Sequence, residues 1–415
     1  MLEQLANEII LEIFSYLTDC DLLNIALIFN THSNIISKIC ISGTNFTNND
    51  FKNVISLTQL KCLFLTESEN ITDFEPIKYL TNLKILDLSN CSNIGYLKYI
   101  QYLTNLTHLD ISNQKLISNI EHLTNLTNLK FLNLSGSCIK SFTLKLSNLE
   151  YLDLSQTNIK YLPNLYFLTN LTYFNISYTS IKSIKSIIIL SHLTELDIKN
   201  TYITNIKPLS HLHNLSKLEI NNKRIQNIEP ISNLTNLIEL KISGTSIQNL
   251  QILTNLTNIE TFFCSKTNIT DIEPLKHLYN IKILNLSNNN IQNIEPLLYL
   301  TNLKFLILSN TNILNLNPIS NLNKLETLLI NNTKIFDIVF ISLLINLKNL
   351  DMSHTIITNI DLLSLLTNLE FLNLSYTNIS NSQPLITLTK LQYLNLKQTN
   401  IKHIDLILSN CSIDT

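Results

Sequence analysis

From Leu149 onward, an apolar residue opens a new phrase every 22 residues: Leu171, Leu193, Leu215, Leu237, Ile259, Ile281, Leu303, Leu325, Leu347, Leu369 and Leu391 follow in turn. A fixed period of this length marks a solenoid, because each repeat is one supersecondary unit that needs its neighbours to complete a core. Earlier starts at Leu60, Leu83, Leu106 and Leu129 are each 23 residues apart, with 20 more up to Leu149, and Ile36, Ile39 and Ile41 fit one further unit. Roughly seventeen units then fill residues 36–415.

With the opening residue as position 0, apolar side chains recur at +3 and +5, and then at +10, +13, +16 and +19. In one copy these are Leu303, Leu306, Leu308, Ile313, Leu316, Ile319 and Leu322. Positions +3 and +5 share one face of a pleat while +2 and +4 take the other, so the first half reads as a strand. The second half, often of the form of Ile294–Leu300, is too short for a long helix. Its proline suits a helical first turn or a 3-10 segment. Position +8 is usually Thr or Asn, a small polar side chain placed to hydrogen-bond the turn that leaves the strand. The expectation is a strand, a turn and a short return in every unit, with the strands stacked in parallel about 4.8 Å apart.

This pattern resembles the 22-residue leucine-rich repeat, particularly its internalin-like type. The resemblance implies an α/β solenoid: an arc with a parallel concave β-sheet and short 3-10 or helical convex segments, whose concave face binds other proteins. It does not identify the bound protein, since one fold serves many functions.

Residues 1–35 depart from the repeat. Leu5, Ile9, Ile13 and Leu17 recur at helical spacing, and Asp19 is placed to cap a second helix carrying Leu22, Leu23 and Ile25. One reading is a small helical cap over the first repeat's open core. The other is that the stretch resembles an F-box, with Leu5, Glu8, Ile9, Ile13, Phe14, Ser15, Tyr16, Leu17, Asp21, Leu22 and Leu23 standing where that family has like residues. Ala6 replaces the family's proline, and its later tryptophan is absent. The F-box resemblance implies that Leu5, Ile9, Ile13, Phe14, Leu17 and Leu22 dock the linker subunit of a cullin-based ubiquitin ligase.

Several function classes fall away. A formal charge of -2 supplies no basic field for nucleic acid. Seven cysteines without a CxxC pair read as free thiols in a reducing compartment. Glu8 and Glu12 interrupt the first apolar run, which argues against a secretory signal or a membrane span and for a cytoplasmic protein. The glycines, at Gly43, Gly95, Gly136 and Gly244, are too dispersed to cradle a phosphate, so no cofactor is expected. His192, His211 and His213 occupy Thr or Asn positions of the return without an accompanying cysteine or acid, and read as surface residues rather than metal ligands. No serine or cysteine sits in a nucleophile motif, and the chain is not expected to be an enzyme. The recurrent Asn-Leu-Thr sequons read as by-products of the repeat.

What remains is the outward strand row. Position +4 is acidic in its first half, including Asp110, Asp153, Asp197 and Glu219, and then turns apolar at Phe263, Ile307 and Leu329, with Ile283 and Phe305 alongside at +2. These nine residues are the candidate target-binding positions: the acids for a basic partner, the apolar group as a protein-binding patch. The combined reading is a substrate-recruiting adaptor of a ubiquitin ligase, and the alternative is a freestanding leucine-rich scaffold or inhibitor.

Overall fold

A computed structural model describes residues 38–42, 47–54, 57–91, 97–401 and 411–414. The expected N-terminal helices and every candidate linker-docking residue lie outside the described residues. The chain divides into two compact units, one ending at Tyr202 and the other running Ile203–Thr415.

The first unit carries strands β1 (Lys38–Ser42), β2 (Cys62–Thr66), β3 (Ile85–Asp87), β4 (His108–Asp110), β5 (Phe131–Asn133), β6 (Tyr151–Asp153), β7 (Tyr173–Asn175) and β8 (Glu195–Asp197). Each pairs in parallel with the next. A seven-residue helix, α1 (Asn48–Val54), forms the first return. The second unit carries β9 (Lys217–Glu219), β10 (Glu239–Lys241), β11 (Thr261–Phe263), β12 (Ile283–Asn285), β13 (Phe305–Ile307), β14 (Thr327–Leu329), β15 (Asn349–Asp351), β16 (Phe371–Asn373), β17 (Tyr393–Asn395) and β18 (Ser412–Asp414), again parallel and in chain order. No helix among the described residues is long and apolar enough to cross a membrane.

The register follows from the period: Leu284, Leu306 and Leu328, all at +3, lie side by side. Leu303, Leu306, Leu308, Ile313, Leu316, Ile319 and Leu322 are all completely buried, so the seven apolar positions are the core of the stack. The return is a 3-10 segment in most units, as at Glu295–Tyr299, where Pro296 pre-sets φ and the N–H of Leu300 closes the end on the Leu297 carbonyl. Reading the sequence by its leucines misses β18. Ser412 pairs with Tyr393 only 19 residues on, and the unit has Asn410 where the opening leucine would stand.

Two polar ladders and a left-handed turn position recur in most repeats. At +8 the threonine hydroxyl donates to the +5 carbonyl of its own turn, as Thr311 does to Leu308 at 2.6 Å and Thr333 to Ile330 at 2.7 Å. At +7 the backbone is left-handed, with φ 57° at Asn310 and 56° at Asn332, a region that asparagine tolerates. At −1 an asparagine amide donates to a carbonyl one repeat earlier: Asn258 to Thr235 at 2.9 Å, Asn280 to Thr257 at 3.0 Å and Asn302 to Tyr279 at 2.9 Å. His192 holds this place in the repeat that opens at Leu193, its Nδ1 lying 3.0 Å from the Thr169 carbonyl oxygen. Where a sequon places its asparagine at −1, as at Asn105 and Asn170, that asparagine makes the same bond, to Thr81 and Ser147, as part of the repeat.

Leu306→Asp would bury an unpaired carboxylate between repeats and should cost several kcal/mol in urea unfolding. Thr311→Val, which removes one ladder bond, should cost only about 1 kcal/mol. A normal melting curve for Leu306→Asp would mean that the register is displaced, since a one-residue slip turns every inward side chain outward.

Candidate protein-binding face

Each short strand offers three side chains, the middle one inward and the flanking two outward. The register gathers Ile283 and Phe305 as direct +2 neighbours and Ile307 and Leu329 as direct +4 neighbours on β12, β13 and β14. Phe305 is 38% exposed; Ile283, Ile307 and Leu329 are half-buried. Phe263 is also half-buried but stands apart from Ile307, because Asn285 lies between them in the +4 row. Lys241 instead places its Nζ 5.5 Å from the Phe263 ring centroid. A charged rim runs along the preceding +1 row, with Lys282 paired to Glu260 at 2.7 Å and Lys348 to Glu326 at 2.8 Å. The Lys348 ammonium holds the Glu326 carboxyl below its ordinary range.

The polar +4 residues have a structural task. Asp110 accepts the backbone N–H of Ser112 at 2.9 Å, Asp153 that of Ser155 at 2.7 Å, Asp197 that of Lys199 at 2.9 Å, and Asn285 that of Ser287 at 3.0 Å. Each bond closes the chain as it leaves its strand. The second carboxylate oxygens meet neighbouring amides: Asn133 donates to Asp110 at 2.9 Å and Asn175 to Asp153 at 3.0 Å. These amides separate like charges in the row. Asp197 reaches the Lys199 ammonium at 3.0 Å, and Glu219 lies 4.0 Å from that of Lys241. The four acidic candidates are thus engaged within the repeats themselves.

Apolar residues at +4 cannot accept that bond. At Phe263 the substitute comes from the preceding repeat, whose Ser243 hydroxyl accepts the Ser265 N–H at 3.0 Å. Phe263, Ile307 and Leu329 forgo a bond that most of their counterparts make, and they present apolar surface instead.

The first unit carries a feature that the +4 row does not reveal. His108, Phe131, Tyr151 and Tyr173, all at +2, form a stack of rings with successive centroids 5.9, 4.2 and 4.1 Å apart. The signal is visible when +2 letters are read down the repeats rather than along the chain. Burial is the main cause that raises the Tyr151 and Tyr173 hydroxyls above their usual range.

No group of three or more His, Cys, Asp or Glu placed to hold a metal occurs among the described residues. Burial pushes the Cys91 thiol up to about 11 and the Cys264 thiol up to about 12, so neither supplies an activated thiolate.

Residues 257–299 match a family model of leucine-rich repeats in two copies, and residues 74–164 match Zer-1-like leucine-rich repeats. An internalin of Listeria monocytogenes is 28% identical over 71% of this chain and 88% of its own, with a TM-score of 0.67. A leucine-rich-repeat protein of Leptospira interrogans superposes over 94% of this chain and 97% of its own, with a TM-score of 0.70 at 22% identity. The ectodomain of a membrane receptor kinase of Arabidopsis thaliana, solved with Casparian strip integrity factor 2, covers 89% of this chain with 48% of its own length, at 20% identity and a TM-score of 0.64. The comparison with curated proteins finds no match. The chain carries leucine-rich repeats, and its fold is a leucine-rich-repeat solenoid.

Burial raises the folded-state pKa of Asp153 despite its bonds to Ser155 and Asn175. The unfolded value is about 4, so the protonated carboxyl favours the fold; that contribution is full below the unfolded value and lost as pH rises through the folded one. Asp153→Asn, which keeps an acceptor for Ser155, should therefore gain stability relative to the parent as pH rises toward neutrality in urea melts. Asp153→Ala should lose about 1–2 kcal/mol at neutral pH through its lost bonds.

Proposed function

We propose that this chain is a non-catalytic binding scaffold that captures a protein or peptide on its strand face, with Ile283, Phe305, Ile307 and Leu329 as the centre of contact and Phe263 at its margin. The observation that carries this reading is the exchange at +4: a turn-closing acceptor is given up for apolar side chains that stay half-exposed. Neighbouring apolar groups flanked along one edge by ion pairs have the anatomy of an interface core with a polar rim. Asp110, Asp153, Asp197 and Glu219 contribute a negative field that steers a basic partner, beyond their work within the repeats. The Arabidopsis ectodomain, with the same fold, is recorded with a bound partner.

The finer reading joins this face to residues 1–35. Their resemblance to an F-box supports a substrate-recognition subunit of a cullin-based ubiquitin ligase in the cytoplasm: Leu5, Ile9, Ile13, Phe14, Leu17 and Leu22 dock the linker while the strand face holds the target. Without that linkage the same face belongs to a freestanding scaffold or inhibitor.

Two experiments separate these readings. Phe305→Ala should weaken capture of a target found by proximity labelling by roughly 2 kcal/mol, the usual mark of a hot spot, with the melting curve unchanged; binding as tight as the parent's would remove the apolar face from the interface. Ile9→Glu with Phe14→Glu should abolish co-purification of linker and cullin while the repeats stay folded. Failure of the parent chain to bring down either subunit would leave the scaffold reading alone.

A further inference from the structure

A second surface lies on the return side of the first unit, away from the strands, and its origin is local. Regular returns place proline at +15, as at Pro274 and Pro296. After β6 it comes one residue early, at Pro163. A residue before proline is driven toward extended backbone, so Leu162 at +13 leaves the conformation that starts a 3-10 segment, and none forms between β6 and β7. Leu162 is then half-exposed, where its counterparts Ile184 and Ile294 are buried. The displaced loop leaves a recess of about 430 Å³, lined by Leu162, Pro163, Ile188 and Ile189 with Tyr161 and Tyr166 at its mouth. Tyr161 is 76% exposed and Tyr166 65%, leaving both rings free to contact a ligand.

The charge around this recess is one-sided. Lys140, Lys160 and Lys182 occupy +11 in three successive repeats and form a column. Lys185 lines the recess with Lys182, and Lys145 lies over the Phe167 ring at 5.1 Å. All five lysines are exposed. None forms an ion pair among the described residues. Between residues 122 and 194 the only acids are Glu150 and Asp153. Glu150 is paired with Lys130 at 2.8 Å, and Asp153 is held by Ser155 and Asn175.

We propose that this recess and its lysine column form a docking site for an acidic peptide segment carrying one large apolar side chain. The aliphatic floor takes the apolar anchor, the tyrosines flank it, and the ammonium groups receive carboxylates on either side. Three repeats at strand spacing span about 10 Å, the length of about three extended peptide residues. Single-stranded nucleic acid fits less well: the column is short for a backbone track, and aliphatic side chains offer a base no stacking platform. The site is separate from the strand-face patch of the second unit, so either can fail without the other.

The test uses the full chain and fluorescence anisotropy with three labelled probes: a peptide of glutamates around a central Leu-Phe pair, its lysine counterpart, and an oligouridylate of matching charge. The acidic peptide should bind, more weakly as salt rises, and the lysine peptide should not. Lys182→Glu with Lys185→Glu, and separately Ile188→Asp, should each weaken binding about tenfold or more, with far-ultraviolet circular dichroism unchanged and Phe305→Ala without effect. The proposal is overturned if the acidic peptide does not bind, if both variants bind it like the parent, or if oligouridylate binds more tightly.

Discussion

In most repeats the asparagine at −1 reaches back to a backbone carbonyl of the repeat before it and ties the two together. Asn236 reaches back to His213, Asn258 to Thr235 and Asn280 to Thr257, each at 2.9 to 3.0 Å. Each of these bonds is exposed and contributes about 1 kcal/mol, so together they reinforce the pitch that the buried leucines between them set. Where the pitch slips, the return changes with it. In the 20-residue unit from Leu129 to Leu149, residues 142–146 alternate buried and exposed as an extended segment instead of a 3-10 turn.

This regularity makes the outward rows informative. Strands of three residues leave little freedom: the middle position is core, and the +4 side chain usually closes the turn. A residue that leaves that task stands out against its repeats, as Ile307 and Leu329 do against Asp351 and Asn373, which accept the N–H groups of Ser353 at 2.9 Å and Ser375 at 3.1 Å. The repeat thus serves as its own control for separating scaffold from recognition.

Much of the fold was legible because a fixed period converts one correct unit into all of them. The core positions, the parallel order, the short returns and the threonine ladder at +8 follow from periodicity and turn chemistry alone. What was not legible depends on geometry that letters do not carry. Left-handed backbone at +7 is readable at Asn310 but not at Tyr178, His354 or Tyr376, where bulky side chains adopt φ of 54° to 56° because the turn on both sides dictates it. The bond made by the asparagine at −1 did not show in the letters, because its acceptor lies a full repeat away in sequence. The acidic row read as positions for a basic partner, and the letters did not show that its oxygens were engaged by Ser155, Asn175 and Lys199. The apolar patch was found in outline; its division, with Phe263 set apart by Asn285, needed the strand register.

The central claim is that recognition belongs to the strand face of the second unit. Lysine-directed cross-linking with mass spectrometry on the complex with a captured target tests it most directly, because Lys241, Lys282, Lys304 and Lys348 rim that face on the same strands or the residues before them. The account predicts cross-links from these lysines to the target. Cross-links confined to the return side, at lysines such as Lys276 and Lys334, would contradict it.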